Sequence, residues 1–192
     1  MGVFKIEQLK EIAIGLERSG ERFLWVVRDP PSDDDNKSNS GGKELSLESI
    51  LPQGFLYRTK DKGLVVKNWA PQLAILNHDS VGGFVCHCGW NSTLEAMTAG
   101  VPIVAWPLYA EQKMNRVFLV QELKVALALK MSLDGFVTAE AVEEMVRELM
   151  EGVEGKMVRK RVLDIKVKAK SAMEDGGSSR VDFLTLIKSI MV

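Results

Sequence analysis

Short apolar runs alternate along this chain with stretches in which apolar residues recur every three or four positions. Ile6, Leu9, Ile12, Ala13 and Leu16 follow helical spacing and stop at Ser19-Gly20, which predicts an amphipathic first helix. Residues 23–27 then form an unbroken apolar run of strand length, the pattern of a strand covered on both faces. Residues 45–57 predict a short helix broken at Pro52-Gln53-Gly54, and residues 64–67 a strand ending at Asn68-Trp69. A helix opening on Pro71 follows, then a short buried strand at 82–86, a turn at 87–90, and a helix from Asn91 closed by Gly100. Residues 102–106 and 124–129 read as further strands, with a helix at 111–122 between them. Beyond Asp134-Gly135, a helix capped by Thr138 runs through Met150, an amphipathic helix covers 155–173, and Val181, Leu184, Ile187 and Ile190 give a last helix its apolar stripe. Strand followed by helix, repeated, predicts an α/β fold: a parallel sheet with helices on both faces and right-handed crossovers.

Composition narrows the classes of function. At 192 residues, with 46% hydrophobic and 27% charged, the chain has the make-up of one soluble globular domain. A net charge of −1, with basic and acidic residues interspersed, gives no pull towards nucleic acid or membrane. No signal-like start and no apolar run of roughly 18 residues is present, so the expected compartment is the cytosol. Residues 29–43 are almost free of apolar side chains and are expected to form a mobile surface loop, with Asp33, Asp34 and Asp35 solvated rather than metal-bound. The two cysteines, Cys86 and Cys88, would point to opposite sides of an extended segment, and neither a disulfide nor a zinc site is expected from them. His78 reads as structural, and Trp106, inside an apolar run, as core.

The chemistry concentrates where the strand at 82–86 meets the next helix. The first N–H groups of a helix lack partners within it and sit at the positive end of its dipole, which suits a phosphate. Gly89 permits a close turn, Asn91, Ser92 and Thr93 offer short donors, and His87 offers an imidazole N–H. Glu95, one helical turn after Asn91, could accept hydrogen bonds from two ribose hydroxyls, so a nucleotide fits better than bare phosphate. Taken singly, Asn91 and Ser92 read as N-caps, Glu95 as a capping-box partner of Ser92, and His87 as a turn histidine. All of these plain readings would have to hold within nine residues.

Residues 69–112 open on Trp-Ala-Pro-Gln, run through His87-Cys88-Gly89-Trp90-Asn91-Ser92 and close on Glu111-Gln112. This stretch closely resembles the signature box of plant secondary-product UDP-glycosyltransferases. The resemblance implies a GT-B enzyme, in which two Rossmann-like domains face each other, and it makes residues 1–192 the C-terminal, UDP-sugar-binding domain. Trp69 would then stack on uracil, Ala70 would read the base edge through its backbone, and Gln72 would lie near the ribose. Glu95 would hold the ribose hydroxyls, and His87, Asn91 and Ser92 the diphosphate. Trp90, Glu111 and Gln112 would line the sugar, the final Gln favouring glucose. Trp69 equally suits an apolar lid on a sheet end, and Glu111 and Gln112 equally suit an ordinary helix start; both alternatives stand at this point.

The function implied is inverting transfer of glucose from UDP-glucose to a hydroxyl of a small lipophilic acceptor such as a flavonoid, with no metal and no cofactor beyond the donor. By the same resemblance no catalytic residue lies in this chain: a histidine oriented by an aspartate belongs to an N-terminal acceptor domain. That domain, and the first strand of this one, are expected to be missing from the sequence. Two further classes remain open, a non-catalytic UDP-sugar-binding module and a domain that keeps the fold but binds nothing.

Overall fold

A computed structural model of the chain describes residues 3–29 and 46–191; the acidic loop expected at 29–43 lies, apart from Asp29, outside the described residues. The helix-spaced residues of the first segment form α1 (Ile6–Ser19), which ends where Gly20 takes a left-handed backbone, φ 75°. Then follow β1 (Phe23–Val27), α2 (Leu47–Ile50), α3 (Phe55–Arg58), β2 (Gly63–Lys67), α4 (Gln72–Leu76), β3 (Phe84–Cys86), α5 (Trp90–Ala99) and β4 (Ile103–Ala105). α6 (Gln112–Val117), β5 (Ala126–Ala128), α7 (Ala139–Glu151), α8 (Val153–Met173) and α9 (Ser178–Ile190) complete the order. The helix expected at 111–122 is present, but its last stretch widens into a π-helical turn, Phe118–Glu122, in which Leu123 N–H reaches the carbonyl of Phe118 at 2.9 Å.

Every strand pairing is parallel. β1 pairs with β2, Trp25 opposite Val65, and β3, β4 and β5 lie in that order with Val85, Val104 and Leu127 in register. Among the described residues these are two ladders rather than one continuous sheet. Side chains join them: Phe23 and Trp25 of β1 pack against the cluster that holds Val104, Trp106, Leu127 and Leu129, and Phe4 lies against Trp106 with ring centroids 4.8 Å apart. β4, flanked on both sides, is wholly buried. The run at 23–27, expected to be covered on both faces, is not: Leu24 and Val26 stand 43% and 36% exposed. Among the described residues β1 has one strand partner, and these two side chains are only partly covered.

Helix α1 closes against α7 at short range because Gly15 has no side chain; a β-carbon there would lie 2.5 Å from Val142 Cβ and 2.7 Å from the Ala139 carbonyl. The same contact is wired by polar groups from α1. The buried Gln8 donates to the Val137 carbonyl (2.8 Å) and accepts from Val137 N–H (2.9 Å), and Glu11 accepts from Ala139 N–H (2.6 Å). Thr138 caps α7 as expected, its hydroxyl accepting from Ala141 N–H at 3.3 Å. α9 buries none of its residues, so the apolar stripe of Val181, Leu184, Ile187 and Ile190 faces outward. No described helix is long and apolar enough to cross a membrane.

Candidate functional site

Parallel strands deliver their C-terminal ends to the same side of each ladder, and the candidate residues follow those ends. At β2, Asn68 N–H still donates to the Val27 carbonyl (2.8 Å); Asn68 then turns into the left-handed region, φ 64°. The turn lifts Trp69 off the sheet, leaving its indole 74% exposed, with Ala70 half-buried beside it. An indole this open is available for stacking.

At β3, the chain leaves Cys86, turns sharply at Cys88 (φ 64°), and starts α5 with Gly89 as N-cap. The helix begins one residue earlier than expected, so Asn91 and Ser92 lie inside its first turn and cap nothing with their side chains. The first helical bond runs from Thr93 N–H to the Gly89 carbonyl (3.0 Å), which leaves the N–H groups of Trp90, Asn91 and Ser92 without helical partners. Glycine at position 89 leaves room for the His87 ring where it now lies: a β-carbon there would fall 2.3 Å from His87 Nε2. His87 therefore lies directly over the helix N-terminus. His87 is exposed as a residue, yet partial desolvation of its ring, and next the charge of Arg28, lower its pKa below the ordinary imidazole range, while Glu111 opposes the shift. At neutral pH the ring is uncharged and keeps one N–H to donate.

Gln72 bridges the two ladders. Its carboxamide N–H₂ donates to Ser92 Oγ (3.0 Å) and to Glu95 Oε2 (2.7 Å), bringing together three residues singled out in the sequence. Glu95 and Ser92 sit three positions apart on one face of α5, both half-buried. The capping-box reading of Glu95 does not hold, since its carboxylate turns to Gln72 rather than back to the helix start.

Past β4, Ala110 adopts φ 52° and Glu111 takes the N-cap position of α6, its side chain exposed. Gln112 is 3% exposed, and its Oε1 accepts from the N–H groups of Leu108 (2.8 Å) and Tyr109 (3.1 Å). Its oxygen is thereby used within the fold, and only its N–H₂ is left for a ligand. Trp90 is 47% exposed at the start of α5. Arg28, just past β1, and Glu111, past β4, both bear electrostatically on His87.

Two residues of this region are absent from the sequence-based set. Arg28, just past β1, bears electrostatically on His87; its position at a strand's C-terminal end was the available signal. Asn115, buried on α6, donates to the Cys88 carbonyl (2.9 Å), and nothing in the local sequence distinguishes it from a helix-surface asparagine. The cysteines do not point apart: both lie in one core cluster, as residues two apart on an extended segment share a face, and Cys88 N–H reaches Cys86 Sγ at 3.3 Å. Both thiols are free and buried, and burial pushes Cys86 up to about 11 and Cys88 to about 12, leaving no thiolate for chemistry at neutral pH. Trp106 is core at 5% exposure, and His78 holds a turn by accepting from Ser80 N–H (3.2 Å).

The sequence model of the family described as UDP-glucoronosyl and UDP-glucosyl transferase matches residues 4–158. UDP-glycosyltransferase 88B1 of Stevia rebaudiana is 70% identical over 98% of this chain, and isoflavone 7-O-glucosyltransferase 1 of Glycine max is 58% identical over 98% of it. The chain spans 39% of the length of each of those two relatives. Among solved structures, Phytolacca americana UGT2 complexed with UDP-2fluoro-glucose and pterostilbene is 47% identical, with a TM-score of 0.85 over 98% of this chain and 39% of its own.

Proposed function

Because this chain belongs to the UDP-glucoronosyl and UDP-glucosyl transferase family, we propose that it is the UDP-sugar-binding half of an inverting glucosyltransferase acting on a hydroxyl of a small lipophilic acceptor such as a flavonoid. The observation that carries the reading is the row of groups along the strand ends. In order these are an exposed indole, a carboxylate held by an amide, an open helix N-terminus under a neutral imidazole, and a carboxylate beside an amide whose N–H₂ is free. A uracil on Trp69 and Ala70 leaves its ribose towards Gln72 and Glu95, whose second oxygen can accept from a diol. The diphosphate then meets the N–H groups of Trp90, Asn91 and Ser92 together with His87, and the hexose meets Trp90, Glu111 and Gln112.

As the glycosidic bond to UDP breaks, negative charge grows on the diphosphate. Fixed backbone donors and the His87 N–H, already aimed at that position, stabilise it without reorganising. The reading needs no metal ion for this task. The base that deprotonates the acceptor is assigned to a part of the longer enzyme outside these residues. His78 is engaged in a turn and His87 lies over the helix start, which supports a second, narrower reading for the chain alone: donor binding without turnover.

The test is a calorimetric titration of the chain with UDP and UDP-glucose, alongside Trp69→Ala. Saturable binding that the variant loses by tenfold or more, about the 1–3 kcal/mol of a base–aromatic stack, is the expected result. A folded chain that binds neither ligand overturns the assignment of the donor site to these residues.

A further inference from the structure

The turn that presents the helix N-terminus is conformationally expensive. Cys88 is a non-glycine residue at φ 64°, a left-handed conformation that L-residues rarely adopt and that persists only where surrounding contacts hold it. The ties made by sulfur at this turn are weak ones: the Cys88 thiol donates to the Cys86 carbonyl at 3.6 Å, and Cys88 N–H donates to Cys86 Sγ at 3.3 Å. The stronger tie comes from α6: Asn115 Nδ2 donates to the Cys88 carbonyl at 2.9 Å, across 27 positions of sequence, and Asn115 is 6% exposed.

Asn115 also stands on the helix that carries the sugar corner. Its N–H bonds the Glu111 carbonyl at 3.0 Å, and one turn earlier Gln112 holds Leu108 and Tyr109 through its oxygen. α6 thus sends out two buried carboxamides, one to the loop before it and one to the turn between β3 and α5. Such groups are costly to leave unpaired, so each fixes its target closely. The backbone at 88–89 in turn sets the direction of the N–H groups of Trp90, Asn91 and Ser92 and the place of His87 above Gly89.

We propose that Asn115 is a positioning residue for diphosphate recognition: it holds the Cys88 turn so that the α5 N-terminus and His87 converge on one anion, without touching the ligand itself. The inference rests on the UDP-binding reading above and adds to it a residue that none of the recognition features contains. Its consequence is selective. Asn115 donates to the Cys88 carbonyl and makes no hydrogen bond to Trp69, Ala70, Gln72 or Glu95, so the base and ribose contacts are expected to survive its loss.

The experiment compares uridine with UDP on the whole chain, following tryptophan fluorescence, for the native protein, Asn115→Asp and Asn115→Leu, with thermal melts of all three. Both variants keep the approximate size of the side chain and remove the donor. UDP affinity is expected to fall roughly tenfold in each, the worth of one buried hydrogen bond, with uridine affinity unchanged, so that the advantage of UDP over uridine collapses. Equal losses for the two ligands, or a UDP affinity within about twofold of native, would overturn the positioning role while leaving the donor-site reading intact. A native chain that binds neither ligand would sink that reading and this inference together. If one variant fails to melt cooperatively, the other carries the comparison; failure of both, with no folded variant recovered, makes Asn115 a residue of the fold and overturns the selective role.

Discussion

A single glycine decides whether the imidazole over α5 can stay where it is. At position 89 the backbone conformation is ordinary, φ −65° and ψ 140°, so Gly89→Ala adds no backbone strain; it adds a methyl group where His87 Nε2 now lies. The imidazole can swing away about its own side-chain torsions, and stability should change by less than about 1 kcal/mol. UDP binding should weaken several-fold, because the donor leaves the helix start. A titration and a melt on the same variant check both halves, and a variant that binds UDP as well as the native chain would remove His87 from the site. The residue types needed for this chemistry were legible in the chain; which of their atoms remain free was not. Gln112 shows the difference, since an amide that could donate and accept at a sugar keeps only its donors once Leu108 and Tyr109 occupy its oxygen.

At the scale of elements, the close packing of α1 on α7 depends on Gly15. Gly15→Ala places a methyl group 2.5 Å from Val142 Cβ and 2.7 Å from a carbonyl oxygen of the α7 backbone, neither of which is a flexible chain end. Separation of α1 from α7 also strains the Gln8 and Glu11 bonds to residues 137 and 139, so a loss of about 1–3 kcal/mol is expected despite the better helix propensity of alanine. Val181→Ser on α9 is the control: the helix buries nothing, and its effect should stay within about 0.5 kcal/mol. Urea unfolding of the two variants measures this, and equal losses would contradict the packing described. Helix positions and caps were the most legible layer here, because periodicity, Gly20 and Gly100 state them locally. The choice of α7 as the partner of α1 was not, since residues 8 and 137 are far apart in sequence and meet only after folding.

Among the described residues of the whole molecule, side chains rather than strand pairing join the two ladders. β4 is fully buried between β3 and β5, whereas β1 and β2, among the described residues, pair with each other alone and expose Leu24, Val26 and Leu64. Native-state hydrogen exchange should therefore show the amides of Ile103, Val104 and Ala105 opening only with global unfolding, and those of β1 and β2 opening in a separate, lower-energy step. Equal protection of both ladders would mean that they form one cooperative unit. The candidate site depends on this arrangement, because Gln72 follows β2 in one ladder while Ser92 and Glu95 follow β3 in the other.

The sequence by itself determined the order and type of nearly every element, the place of the helix start that follows β3, and the family, because each is written in local spacing or in the contiguous stretch at 69–112. Tertiary structure alone decided the division of the strands into two ladders, the solvent-facing side of β1, the placing of His87 on Gly89, and the internal use of the Gln112 oxygen. It also brought Asn115 to the Cys88 carbonyl. The physical reason is the same in each case. Periodicity and capping act over one or two helical turns, whereas strand partners, close glycine contacts and buried carboxamide bonds are settled between segments that become neighbours only when the chain is packed.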